Sequence, residues 1–385
     1  MRRILIILAG LAAFAPAVPA QTMGWRGDGT GRFPKADPPI DKRNVAWATQ
    51  LPNWSNASPV VAGNKVITLV DPATIVCCSM TDGRILWQKA NPDLITGAPK
   101  HGDVGYSTPT PVTDGESVYV SIGGGSVACY DLDGNRKWGK VLEKSVVNGN
   151  NGVCASPLLI GNRLIVHLTS LMALNKVTGK VLWSTPDTPC HYGTPVHAKI
   201  KNVDVVITPH GDIVRVSDGK RAARLPKTGV EFTSPVIADG VVYFVQKGSA
   251  IAYRLPGARA ESPKPRQVWA VKLRAENFFG SPVCHEGILY AISQLGWLIA
   301  IDANTGKMIY EQKLNTKNDT SPSLTLAGKY ICAGGEFGGS TVFEPGRQYK
   351  QVSQYDLGDR YRSSPVFVGD KMLIRARNRL FCIRK

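Results

Sequence analysis

Cys77 and Cys78 stand side by side in the stretch TIVCCSM. Joined as a disulfide, neighbouring thiols could clamp a redox cofactor; left free, they are two ordinary strand residues. Geometry favours the second reading. Adjacent Cα atoms lie about 3.8 Å apart across a trans peptide, below the roughly 4.4 Å lower limit usual for a disulfide. The other titratable groups that could bind metal do not form a pattern either. His191 and His197 are six residues apart, a poor match to zinc-ligand spacings, and there is no C-x-x-C pair. The sequence therefore assigns no catalytic residue and no metal ligand.

The chain of 385 residues opens as an export signal. Arg2 and Arg3 precede the apolar run ILIILAGLAAFA, and Val18-Pro19-Ala20 forms an A-x-A-like site. Cleavage is expected before Gln21, which makes residues 1–20 a signal peptide and residues 21–43 a lead-in. No cysteine follows the site, so the expectation is an exported protein, periplasmic or extracellular, soluble rather than lipid-anchored, with no transmembrane segment after cleavage. The formal net charge is +17, two units of which leave with the signal. That balance suits anionic ligands or acidic protein faces. The basic residues are scattered, which argues against a nucleic-acid tract.

A Ser/Thr-Pro pair recurs at Ser58, Thr108, Ser156, Thr194, Ser234, Ser281, Ser321 and Ser364, with proline intervals of 50, 48, 38, 40, 47, 40 and 43. The period is that of propeller blades. Each unit reads as four short strands, the first opened by the proline, which costs no ladder donor there. A tight turn joins the last two, with Gly179 and Gly306 supplying permissive backbone. An aromatic residue follows the turn glycine by four, as Trp87, Trp138, Trp183 and Tyr310; Trp269 serves the fifth unit. These rings are expected to fill the space between blades. The eighth unit stops after its third strand, whereas residues 44–52, with Trp47, read as a fourth strand lacking the other three. Residues 44–385 are thus expected to form one all-β, eight-bladed propeller of four-stranded antiparallel blades, closed by the N-terminal strand.

The same count places the cysteines. Cys77 lies six before Gly83, as Ala173 does before Gly179 and Ala300 before Gly306; Cys129 and Cys382 take the equivalent place. Cys78 aligns with Leu174 and Ile301. Neighbours on a strand point to opposite faces, so both are expected as free thiols in different seams.

At Ala300-x-Asp302-x-x-Thr305-Gly306-Lys307-x-x-Tyr310 the chain resembles the PQQ-like β-propeller repeat family and its tryptophan-docking motif. Asp302 is expected to stabilise its turn. Blades four, five and seven depart from the motif; Ala223 falls where blade four would carry its aromatic residue. The family holds quinone-dependent dehydrogenases, which bind PQQ and calcium, and non-catalytic BamB-type binding propellers, which this sequence resembles more.

The resemblance also implies that the first strand of each blade lies nearest the axis. The loops before those strands should then share one mouth of the channel. They contribute Trp54, Asn56, His101, Tyr106, Asn151, His191, Tyr192, Phe232, Phe279, Asn318, Arg360 and Arg362, a set suited to recognition. Asp103, Glu231, Asp319 and Asp359 are the carboxylates there, spread over different blades without a calcium-ligand constellation. The expected role is a non-catalytic scaffold without cofactor, binding an envelope or extracellular protein or an anionic ligand, possible in cell-envelope assembly. A PQQ/calcium alcohol or sugar dehydrogenase and a polysaccharide or small-ligand binder are the alternatives.

Overall fold

The computed structural model describes residues 23–41, 44–95, 103–142, 154–190, 192–257, 264–317 and 319–385. Residues 1–20, expected from sequence to be a signal peptide, lie outside them.

Short apolar strands broken by Gly, Asn and Asp turns can bury only one another, and here they do so in eight four-stranded antiparallel blades. Blade one comprises Val60–Ala62, Lys65–Val70, Thr74–Ser79 and Ile85–Ala90. Blades two to seven repeat that order over residues 112–141, 158–185, 196–224, 236–272, 283–313 and 325–356. Blade eight takes Val366–Val368, Lys371–Arg375 and Arg379–Arg384 from the C-terminus and Val45–Gln50 from the other end. Trp47 sits opposite Cys382 in that closing pair, so the N-terminal strand seals the ring as the sequence indicates.

First strands of blades one to six touch in succession, which places them innermost. A closed circle of hydrogen bonds ties them. The backbone N–H of Ser58 donates to Thr110 Oγ1, Thr110 to Ser156, Ser156 to Thr194, and Thr194 to Ser234. Ser234 donates to Ser281, Ser281 to Ser323, Ser323 to Ser364, and Ser364 back to Ser58, all eight at 2.8–3.1 Å. This corrects the repeat in two blades. Thr110, not Thr108, opens blade two, and Ser323, not Ser321, opens blade seven, although Leu324 rather than proline follows it. Side chains two apart on an extended chain share a face, so both hydroxyls in TPTP and SPS suit the pattern. The neighbour's N–H decides between them.

The outer seams are built from indole on glycine. Trp47, Trp87, Trp138, Trp183 and Trp269 each donate Nε1–H to a carbonyl of the next blade, at Met80, Leu132, Lys176, Val216 and Ala303, over 2.8–3.1 Å. The ring then lies against that blade's turn glycine; a Cβ on Gly306 would stand 2.8 Å from Trp269. The glycine is therefore required by its neighbour as well as by its own turn. Asp302 caps the same turn, accepting the N–H groups of Asn304 and Thr305 at 3.2 and 3.1 Å.

Three seams lack tryptophan, and each is filled differently. At Ala223 the gap is taken by Leu225 and by Phe244 and Tyr253 of blade five. Tyr253 donates its hydroxyl to Pro226 O at 2.6 Å. Tyr310 of blade six meets Tyr349 of blade seven edge-on, ring centroids 6.4 Å apart. In blade seven Ser353 occupies the aromatic position, opposite Val342, and the lead-in supplies the missing bulk through Phe33, Ala36 and Ile40. That lead-in crosses the ring from one side to the other. Met23 bridges Thr113 of blade two, and Arg32–Phe33 pairs in parallel with Leu326–Ala327 of blade seven. Between them Arg26 is fully buried and donates Nη2 to Pro282 O and Leu324 O at 2.8 and 2.7 Å.

Cys77 and Cys78 point into different seams, the first between blades one and two, the second between blades eight and one. Both are fully buried, and all eight cysteines are free. Burial pushes Cys77 up to about 12 and Cys78 up to about 11, so neither is a thiolate near neutrality.

Two outcomes are expected. Gly306 and Gly358 have nearly equal φ, +74° and +72°, but a Cβ at Gly358 meets nothing within 4 Å. Alanine at Gly358 should cost about 1 kcal/mol of backbone strain, and at Gly306 a further 1–3 kcal/mol of overpacking; equal losses in denaturant unfolding would refute the indole-on-glycine account. Iodoacetamide at pH 8 should leave Cys77 and Cys78 unmodified in the native protein and alkylate both after unfolding, as read by peptide mass.

Candidate functional site: the channel mouth and its blind cup

In a meander, the loops that enter first strands and the turns between second and third strands come back to the same end. Both sets build the channel mouth. Together they line a cavity of about 450 Å³ whose lower wall is the hydroxyl circle and whose floor is Trp25 of the lead-in. Trp25 also lines a second cavity of about 230 Å³ on the far side, so it divides the channel in two.

One side of the cup is aromatic. Tyr192 and Phe232 stack with centroids 5.2 Å apart, and Phe279 meets Phe232 edge-on at 4.9 Å. They come from the loops entering blades four, five and six, and all three are half-buried. The opposite side is polar. Glu336, only 2% exposed, is gripped by Arg362 Nε at 2.8 Å and by Arg360 Nε at 2.5 Å, and accepts the Ser321 hydroxyl at 3.0 Å. Arg362 also donates to Asp103 O at 3.0 Å, and Asn56 Nδ2 donates to the same carbonyl at 2.8 Å. Gln294 donates to Asp319 Oδ1 at 3.0 Å. Burial alone would raise Glu336, but the two arginines, Arg362 foremost, hold it below the usual carboxylate range.

Of the residues assigned to the mouth from sequence, Asn56, Tyr192, Phe232, Phe279 and Arg362 line this cup. Trp54 and Arg360 lie at the rim beside it, in a shallower hollow with Arg377, whose guanidinium stands 5.7 Å from the Trp54 ring. Tyr106 belongs elsewhere: it is 7% exposed in the core between blades one and two, with its N–H donated to Asp71 Oδ1. His101, Asn151, His191 and Asn318 fall outside the described residues. Asp359 pairs with Arg379 at 2.8 Å, and Glu231 is exposed.

Sequence reasoning missed Glu336 and Gln294 because it counted only loops before first strands. Both sit in turns between second and third strands, as do two exposed apolar residues beside them, Leu295 and Phe337, each 48% exposed. The meander itself was the signal. Trp25 had none, since the lead-in carries no repeat.

The family described as "Outer membrane protein assembly factor BamB" matches residues 73–261. A protein of that name from Moranella endobia (strain PCIT) is 23% identical over 346 residues, 84% of this chain and 84% of that protein. Among solved structures, BamB from Moraxella catarrhalis superposes with a TM-score of 0.65 at 15% identity, over 88% of this chain and 96% of that one. Quinohemoprotein alcohol dehydrogenase from Comamonas testosteroni reaches 0.68 at 11% identity, over 96% and 81%. At these identities the structural likenesses speak for the fold alone. Among the described residues no helix is long and apolar enough to cross a membrane.

The grip on Glu336 has a pH signature. Its pKa is depressed in the folded state, so its stabilisation is complete above the unfolded value of about 4.3 and is lost as pH falls through the lower folded value. Glu336→Gln should cost about 1–3 kcal/mol at pH 7 by removing the carboxylate that pairs Arg360 and Arg362, with Asp103 left as their more distant partner. The gap between variant and parent should close as pH drops below about 4; a gap constant from pH 7 to pH 3 in urea titrations would contradict this.

Proposed function

We propose that this chain, a PQQ-like repeat propeller that resembles the BamB type more than the quinoprotein dehydrogenases, is an exported, non-catalytic scaffold that docks an envelope protein in outer-membrane protein assembly. The relatives' name supports the assembly role, and the signal-like residues 1–20 support export into the periplasm as a soluble rather than lipid-anchored protein. One observation carries the docking site. Leu295 and Phe337 stand exposed at the tips of adjacent turns on a mouth fixed from beneath by the hydroxyl circle and the Glu336 pairs. Exposed apolar anchors on a rigid, polar-rimmed surface are the composition of an interface. Arg360 lies 5.3 Å from the Phe337 ring and holds its backbone neighbourhood through Glu336.

The quinone alternative asks more of these residues than they supply. Calcium needs several oxygen ligands, carboxylates among them. Glu336 is taken by two arginines and Asp359 by a third, and among the described residues no group of three or more His, Cys, Asp or Glu side chains stands close enough to hold a metal ion. Cys77 and Cys78, which would have to face one cofactor together, point into opposite seams. The donor set present does not fit PQQ with calcium, and no reaction step is assigned to it.

Residues 21–385, immobilised, are expected to capture a component of the barrel-assembly machinery from detergent-solubilised native envelopes. Leu295→Asp with Phe337→Asp should weaken that capture at least about tenfold at an unchanged melting temperature, the scale of a lost interface anchor. Undiminished capture by the double variant would remove the rim from the account. Capture of no envelope protein, or turnover of alcohols with PQQ and calcium, would overturn the scaffold reading.

A further inference from the structure

Among the described residues, the cup carries more negative charge than its cations cover. Three carboxylates line it, Asp103, Asp319 and Glu336, with one guanidinium, Arg362, among them and Arg360 at the rim. The two arginines are spent on two of the three. Both grip Glu336, and both stand near Asp103, Arg362 at 3.6 Å and Arg360 at 3.9 Å. Lys317, two residues before Asp319, turns to Asp356 instead. Asp319 is thus left without an ion-pair partner among the described residues. Its Oδ1 accepts Gln294 Nε2 at 3.0 Å, and its Oδ2 accepts from none of them. The basic residues behind the formal net charge of +17 are scattered along the chain. Salt screens such distant charges over about 8 Å, so a ligand in the cup meets this carboxylate first.

Asp319 stands where the polar side of the cup meets the aromatic arc. It lies in the loop entering blade seven, next to the blade-six loop that carries Phe279. Gln294 clamps the two loops together. Its side chain accepts from Asn277 Nδ2 at 3.3 Å and donates to Asp319. Its backbone N–H reaches Asn277 O at 2.7 Å, and its carbonyl accepts the Thr320 N–H at 2.9 Å. Asn277 is two residues before Phe279, and Thr320 follows Asp319. From Phe279 the ring surface continues through Phe232 to Tyr192. A metal ion would have no use for those rings, and the described residues hold no cluster of metal ligands. A neutral apolar molecule would cover the rings but take the charge of Asp319 out of water without a partner, which is costly.

We propose that the cup binds one small quaternary ammonium ion, its positive head between Asp319 and the Phe279–Phe232–Tyr192 arc. Methyl groups on the nitrogen let one head meet both features at once. They lie on ring surface, where a cation is attracted by the ring quadrupole, and the charge they spread answers the carboxylate. A primary ammonium would face Asp319 but bring little carbon to the rings. Lower down, the hydroxyls of the circle can each donate and accept, so they suit a hydroxyl on the same ligand. A cavity of about 450 Å³ falls within the roughly 300–1,000 Å³ range of small-molecule sites.

The test is calorimetry and ligand-observed NMR on residues 21–385 at pH 7 with three probes. Choline carries the head, 3,3-dimethylbutan-1-ol is its neutral twin with carbon in place of nitrogen, and ethanolamine keeps the charge without the methyl groups. Saturable binding of choline is expected, with the other two at least about tenfold weaker. Asp319→Asn should lower choline affinity about tenfold and leave that of the neutral alcohol unchanged, whereas Phe232→Ala should lower both, each at an unchanged melting temperature. The comparison of the three probes on the parent protein needs no variant, so it decides even where a variant fails to fold. Phosphatidylcholine vesicles that compete with choline identify a lipid headgroup as the source; vesicles without effect identify a free cation. Equal affinity for the neutral alcohol, equal affinity for ethanolamine, unchanged choline affinity in either folded variant, or no choline binding overturns the proposal. Leu295 and Phe337 do not line the cup, so the rim and the cup stand or fall by different variants.

Discussion

Eight backbone N–H groups, each passed to a hydroxyl of the next blade, set the geometry of everything else in this molecule. A strand nearest the axis has no neighbour on its inner side within its own blade, so its polar groups would face the channel unpaired. Ser or Thr at one position per blade settles that cost and fixes the angular step between blades at once. Because the circle is closed, no blade can tilt alone without breaking bonds on both sides. The mouth loops rise from these anchored residues, which is why a surface made of loops can still present side chains in fixed relation.

Outside that circle the seams obey a different rule. The tryptophans reach across to the following blade, and their rings need a glycine beneath them. This makes the repeat motif a property of pairs of blades, not of single ones. The exceptions follow from it. Where blade seven has Ser353 in place of an aromatic ring, the lead-in brings Phe33, Ala36 and Ile40 to the same seam. The segment before the first blade is therefore part of the packing of the seventh.

Much of this was legible in the chain. The period, the N-terminal strand completing blade eight and the separate fates of Cys77 and Cys78 could be read, because each rests on a local spacing that repeats. The phase in blades two and seven could not, since Thr108 and Thr110, or Ser321 and Ser323, are equivalent until a neighbouring blade chooses. Of the site, the aromatic arc was readable from Tyr192, Phe232 and Phe279. Trp25 and Arg26 were not, because contacts made across the whole ring by a non-repeating segment leave no periodic trace. The triplet Arg26-Gly27-Asp28 shows the opposite hazard: it spells an adhesion motif, yet its arginine is fully buried.

The pairing of Trp47 with Cys382 has a consequence in time. The two residues lie at opposite ends of the chain, and bringing such distant segments together costs roughly 5 kcal/mol of loop entropy if nothing between them is yet ordered. Ordering of the seven intervening blades shortens that effective loop, so closure comes last by economy of entropy. A chain still emerging from a ribosome has one strand waiting without its sheet until Arg379–Arg384 arrives. The ring thus cannot lock before Arg379–Arg384 is delivered, and a truncation that removes this strand leaves Val45–Gln50 without its partner.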